Sequence, residues 1–203
     1  MRTLILARHA HAASNDGDVV SCLPPGEGLT DMGRREARAL GEAVAGDGVE
    51  LGVATELRRT QETLELALAG RGVSTLVVPE LNEIHFGSFE GGALDAYREW
   101  AWAHEPDVEC PGGGESRATA AARFAAGLHA LLDRPEDTVL VVGHSLPIRY
   151  VLDAADGSFP TQRVVHVPHA VPYRLHRDSV EAAAETLRVW AERPRFADAP
   201  SEA

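Results

Sequence analysis

The sequence predicts an α/β fold, a mostly parallel central sheet flanked by helices on both faces in three layers. Two observations carry that expectation. Short apolar runs of strand length alternate along the chain with longer stretches of helical period. Two of those runs are apolar throughout rather than alternating, as strands buried on both faces are. At 203 residues the chain is long enough for one well-cored domain, placed at 1–197, with 198–203 expected as a disordered tail.

The elements follow in order. Leu4 to Ala7 is the first strand, and it stops abruptly at Arg8-His9. Ala12 to Gly28 is polar and rich in Gly, Pro, Asp and Ser, which reads as a loop. Thr30 offers an N-cap to a helix reaching about Ala45, with Met32, Ala37, Leu40 and Val44 on one face. Glu50 to Ala54 is a short buried strand. Arg58 to Ala69 is a second helix, with Leu64 and Leu68 inward and Gly70 past its end. Ser74 to Val78 is apolar and β-branched, a third strand closed by Pro79. Glu80 to Gly92 has no regular period; such insertions are more often functional than structural. Ala93 to His104 is helical, with Trp100 and Trp102 as apolar anchors, and Pro106 to Gly114 is a loop. Ser116 to Asp133 is a long helix whose Phe124, Leu128, Leu131 and Leu132 form a core-facing stripe. Thr138 to Val142, the strongest strand signal, ends in Gly143-His144-Ser145, and a helix continues to Ala155 with Pro147 tolerated in its first turn. Val164 to Val167 and Val171 to His176 are edge-strand candidates, and Ser179 to Glu192 is helical.

A formal charge of -12, from 19 basic and 31 acidic residues, argues against a nucleic-acid surface or an anionic membrane as partner. An anionic small molecule stays open, provided arginines cluster locally. No signal peptide and no apolar span of about 20 residues is present, so a soluble cytoplasmic protein is expected. Cys22 and Cys110 have neither metal-ligand nor redox spacing and read as free thiols.

The two continuous apolar strands each deliver a histidine at the carboxyl end, where open α/β sheets bind their ligands. Side by side in a parallel sheet, His9 and His144 would face one pocket. The helix starting at Ser145 would aim its free N–H groups and positive dipole end there, and Arg8 would offer a planar, permanently charged fork. Together these features point to a phosphoryl group, with His9 kept neutral and nucleophilic by cationic neighbours.

Six segments in order then carry a resemblance to a known family: Arg8-His9 with Asn15 behind it; Leu29-Thr-Asp-Met-Gly33; Thr55-Glu-Leu-Arg-Arg-Thr-Gln-Glu-Thr63; Leu81-Asn-Glu-Ile-His-Phe-Gly87; Pro111-Gly-Gly-Gly-Glu-Ser116; and Val142-Gly-His-Ser145. The sequence resembles the histidine phosphatase superfamily, the phosphoglycerate-mutase-like enzymes. The resemblance implies a metal-independent phosphomonoesterase without cofactor, with the catalytic set Arg8, His9, Arg59, Glu83 and His144. His9 would form a phosphohistidine, and Glu83 would act as general acid and then base with a raised pKa. Asn15, Ser145, His11 and His85 are expected to contact the substrate, a small phosphorylated metabolite; no metal site is expected, and monomer and homodimer are both open.

Departures from the family pattern fall at Ala10, His11 and Ala12, where glycine, glutamate and threonine are usual, and at Ser145. His166, His169 and His176 read as structural or exposed. Within the family, a phosphatase is favoured over a mutase because the central loops look short, the chain has no lysine, and Ile84 to Gly114 holds a single arginine, Arg98. The alternatives are a phosphoglycerate-type mutase and a catalytically weak phosphate-ester-binding member. A remoter one is a serine α/β-hydrolase using Ser145 with Asp153 or Asp156 and His166 or His169.

Overall fold

The computed structural model describes residues 1–197; the expected tail at 198–203 lies outside the described residues. One sheet of five strands runs through the centre, in the order β3-β2-β4-β1-β5. Strand β1 (Thr3–Arg8) lies parallel to β4 (Thr138–Gly143) on one side and antiparallel to β5 (Pro172–His176) on the other. Strand β2 (Leu51–Ala54) continues the parallel sheet to β3 (Ser74–Val77). The α/β expectation holds, with one antiparallel edge strand.

The continuous apolar runs are explained by the two layers that cover them. Leu4 and Leu6 of β1, with Val139 and Val141 of β4, enter the core beneath α5 (Arg117–Leu132), α6 (Ser145–Ala155) and α7 (Arg177–Glu192). Ile5, Ala7, Leu140 and Val142 point the other way, toward α2 (Asp31–Ala43) and α3 (Arg58–Ala67). Side chains alternate faces along a strand, so a strand between two helical layers must be apolar at every position. The short α1 (Ala13–Asp16) follows the first loop, and α4 (Leu94–Trp102) stands beside the irregular 80–92 segment. Among the described residues no helix is long and apolar enough to cross a membrane.

Helix starts follow their caps. The Thr30 hydroxyl accepts from the Gly33 N–H at 3.1 Å, and Ser116 accepts from Thr119 N–H at 3.0 Å in a capping box. Gly33 also permits a close approach: a Cβ there would stand 2.0 Å from the His11 carbonyl oxygen, so only glycine lets α2 pack against the loop that carries His11.

Three expectations are corrected. Met32 is exposed, because α2 buries the stripe Gly33, Ala37, Leu40 and Gly41 instead. Strand β3 forms where the sequence places it, as an edge strand exposed at all four positions; its β-branched residues signal extended backbone without requiring a central place. Trp102, at the end of α4, is 37% exposed rather than a core anchor. Val164 to Val167 is not a strand, and at Val167 the main chain is spent on side chains: its N–H donates to Ser145 Oγ at 3.2 Å, and its carbonyl accepts from Arg8 at 3.0 Å.

Candidate active site

The site stands at the carboxyl edge of β1 and β4. Their register sets Arg8 beside Gly143, and His9 N–H donates to the Gly143 carbonyl at 2.9 Å. The His9 and His144 rings thereby come to 5.5 Å between centroids, tilted by 58°. His9 lines a cavity of about 280 Å³, whereas His144 is fully enclosed just behind it. The end of β2 adds Thr55, and α3 adds Arg59, which is buried. Its neighbour Arg58 is exposed and held by Glu62 at 2.6 Å, so of the two only Arg59 lines the cavity.

Hydrogen bonding sets the proton positions on both rings. His9 Nδ1 lies 2.9 Å from the Ala10 carbonyl, which can only accept, so Nδ1 carries the hydrogen and Nε2 keeps its lone pair. His144 is arranged in the opposite sense. Its Nε2 lies 3.0 Å from the Thr55 hydroxyl, which itself bonds the Thr60 hydroxyl at 2.9 Å, while Thr60 donates to the Leu57 carbonyl at 2.7 Å. Its Nδ1 lies 3.4 Å from Arg59 Nη2 and accepts there. Burial first, then Arg59 and other cationic neighbours, hold both histidines well below the usual imidazole range, so both are neutral at pH 7.

The arginines keep donors in reserve. Arg8 Nη1 donates to the Val167 carbonyl and to His166 Nε2, but its buried Nε has no acceptor among the described residues. Burial lowers Arg8 to about 10, which leaves it cationic at pH 7. Arg59 Nη2 donates to the Ser21 carbonyl at 2.8 Å. Unmet guanidinium donors beside a neutral imidazole suit an anion with several oxygens.

Glu83 follows the single helical turn Pro79–Leu81, half-buried, with Oε1 accepting from Ile84 N–H at 3.0 Å. Burial raises its carboxyl above the ordinary range, against the pull of that N–H and of Arg59, Arg8 and Arg123. The segment is stapled from α5. Arg123 donates to the carbonyls of Glu80, Asn82 and Glu83 at 3.0, 3.0 and 3.2 Å and grips Glu115 at 2.6 Å.

Of the sequence-derived contact residues, Asn15, His11 and Ser145 line the cavity. Asn15 Oδ1 accepts from Ala12 N–H at 2.9 Å, which leaves its amide N–H groups for a ligand. His85 does not line the cavity and is corrected. Its N–H and carbonyl are paired with Glu115 at 2.9 and 2.8 Å, and its ring turns back toward Gly87. His166 and His169, read from the sequence as structural or exposed, do line it. His166 receives Arg8, and His169 Nδ1 donates to the His9 carbonyl at 2.7 Å. Thr63 was also missed; its hydroxyl accepts from Ala10 N–H at 3.0 Å. No local signal marks Arg123, His166 or His169, because each acts on residues about 40 to 160 positions away.

The serine-hydrolase arrangement is not formed. Ser145 Oγ is engaged by Val167 N–H, His166 and His169 are committed to Arg8 and His9, and Asp153 pairs with Arg149 at 3.1 Å. Among the described residues no group of three or more His, Cys, Asp or Glu is placed to hold a metal ion.

Residues 4–189 match the profile of the histidine phosphatase superfamily (branch 1). The chain belongs to the histidine phosphatase superfamily. Among curated relatives of this superfamily member, a 2,3-bisphosphoglycerate-dependent phosphoglycerate mutase of Brucella ovis is 30% identical over 203 residues, covering 92% of this chain and 98% of the relative. A solved structure of mycobacterial glucosyl-3-phosphoglycerate phosphatase in complex with VO3 superposes with a TM-score of 0.73 at 26% identity, covering 86% of this chain and 92% of the other. The alpha-ribazole phosphatase from Shigella flexneri shares the fold, with a TM-score of 0.74 at 24% identity over 85% and 89% of the two chains.

Proposed function

We propose that this superfamily member hydrolyses a small phosphomonoester through a phosphohistidine at His9. The observation that carries the reading is His9 itself, a neutral ring with its Nε2 lone pair free, set between two buried arginines that retain unused donors. The Nε2 pair attacks phosphorus in line with the ester oxygen. The P–O bond breaks, and the departing oxygen takes the proton held on Glu83. The carboxylate so formed then removes a proton from water, which attacks phosphorus, and the P–N bond returns its electron pair to Nε2.

Arg8 and Arg59, with Asn15, stabilise the charge spread over the transferring oxygens, the dominant contribution in phosphoryl transfer. His144 Nδ1 accepts from Arg59 in the free protein, so to serve those oxygens as a donor it takes the proton that a monoanionic phosphate ester brings into the site. No step of this scheme calls on a metal or a cofactor. The proposed partner is a phosphorylated metabolite and neither a nucleic acid nor a membrane.

The test is trapping. A labelled generic ester, quenched during turnover, should leave one phosphoryl group that is stable to base and labile to acid at His9, and His9→Ala should show neither label nor turnover. Turnover persisting in His9→Ala would refute the scheme. The phosphoglycerate mutases among the relatives support a second reading, transfer to an acceptor hydroxyl. Conversion of 3-phosphoglycerate to 2-phosphoglycerate in the presence of 2,3-bisphosphoglycerate, faster than phosphate release, would favour it.

A further inference from the structure

Three arginines are buried among the described residues, Arg8, Arg59 and Arg117, and all three line the same cavity. Among the described residues none of the three has a carboxylate oxygen within 4.0 Å, whereas the arginines that do form ion pairs have more exposed side chains. In a chain with 31 acidic residues, that absence singles the cavity out. Arg8 and Arg59 have the transferring phosphoryl group to meet. Arg117 does not share their place: it opens α5, on the wall formed with α4.

Arg117 is 8% exposed. Its Nε donates to the Tyr97 hydroxyl at 3.1 Å and its Nη1 to the Tyr150 hydroxyl at 3.0 Å, while Nη2 has no partner among the described residues. The tyrosines supply dipoles and no countercharge. Burial pushes Tyr97 up to about 12 against the pull of Arg117, and burial raises Tyr150 too, so both are neutral at pH 7. A buried cation without a countercharge is costly, and the cost is relieved when a ligand brings the anion.

We propose that Arg117 is a second anion subsite, binding two oxygens of a carboxylate or phosphoryl group on the leaving part of the substrate, so that the substrate class is a phosphorylated acid or bisphosphate. The idea uses the proposed function only to place the first phosphate. It also bears on the contrast with mutases, since the lone arginine of the 84–114 stretch is supplemented by one three residues beyond it.

Equilibrium binding to the His9→Ala protein separates the two claims, because it needs no turnover. The probes are two matched pairs of different reach, 3-phosphoglycerate with glycerol 3-phosphate and 4-carboxyphenyl phosphate with phenyl phosphate, and 2,3-bisphosphoglycerate reports on a second phosphate. With Arg117 present, the acid of at least one pair, or the bisphosphate, should bind roughly tenfold or more tighter than its matched ester (glycerol 3-phosphate for the bisphosphate), which is neutral apart from its phosphate; that is the size expected of a charge-assisted bond. Arg117→Met should erase that preference and leave the neutral esters unchanged within about twofold, and Arg117→Lys should keep part of it. No preference in the Arg117 protein overturns the proposal, whatever the variants do. So does a preference that survives Arg117→Met, or an equal loss for neutral and acidic ligands, which marks a purely structural arginine. Failure of the proposed chemistry would show separately, as absent turnover in the His9 protein.

Discussion

Replacing Arg123 with methionine should lower stability moderately and turnover strongly, because this residue holds Glu83 without touching substrate. Its guanidinium makes three bonds to the carbonyls of Glu80, Asn82 and Glu83 and a bidentate contact with Glu115 at 2.8 and 2.6 Å. Methionine keeps most of the aliphatic stem and loses the guanidinium, whose Cζ stands 4.9 Å from the centroid of the Phe124 ring. Net values of about 1 kcal/mol for each carbonyl bond sum to roughly 3 kcal/mol. The Arg123 and Glu115 side chains are each 24% exposed, so the ion pair adds little and the sum is discounted to about 2–3 kcal/mol. For a chain of this size that corresponds to a melting temperature lower by roughly 5–10 °C.

The chemical effect is larger. A general acid displaced by about 1 Å costs on the order of 100-fold in kcat, while Arg8 and Arg59 keep their places and KM should move less than about threefold. Thermal unfolding followed by circular dichroism, with steady-state hydrolysis of an aryl phosphate, measures both. A melting point within about 2 °C of the parent together with an unchanged kcat would show that the Glu83 segment holds itself, and the argument would fail.

Three further outcomes follow from the same geometry. The rate constant kcat/KM should rise as pH climbs past the depressed value of His9, which must be neutral to attack, and fall as pH climbs past the raised value of Glu83, which must hold its proton. Glu83→Gln should lose the upper limb and roughly 100- to 10,000-fold in kcat, as a pH–rate profile would record. Folded His169 titrates at about 4, lowered by burial and then by Arg8, and His9 and His144 are lowered as well. Between that range and about 6.5 the unfolded chain binds more protons than the folded one, so stability should fall as pH drops from about 6.5 to 4; a melting temperature that stays flat over that interval contradicts it. Gly33→Ala drives a Cβ to 2.0 Å from the His11 carbonyl, and a strain of about 1–3 kcal/mol should appear as a melting point lower by roughly 3–10 °C, with α2 displaced from the 10–15 loop in a crystal structure.

What could be read from the chain alone is what neighbours in sequence determine. Strands β1 and β4 announced themselves because both of their faces are covered, and Thr30 and Ser116 marked helix starts because a cap acts within three residues. Arg8, His9 and His144 were legible as strand ends, and Arg59 and Glu83 through the motifs around them. The segment at 164–167 was misread because apolar β-branched residues signal extended backbone without naming a partner. His85 was misplaced for a related reason, since its direction is set by main-chain pairing with Glu115, 30 residues away.

Tertiary structure decided the surroundings that give those residues their chemistry. The tautomer of His144 depends on Thr55 and Arg59, the level of Glu83 on burial and on the Arg123 staple, and the hold on Arg8 on His166, 158 positions away. Arg117 was one more arginine on a helix until folding buried it beside two neutral tyrosines at the edge of the cavity. Periodicity and capping report which face of a segment turns inward; only the folded chain determines which group stands opposite, and that opposing group sets charge, proton position and pKa.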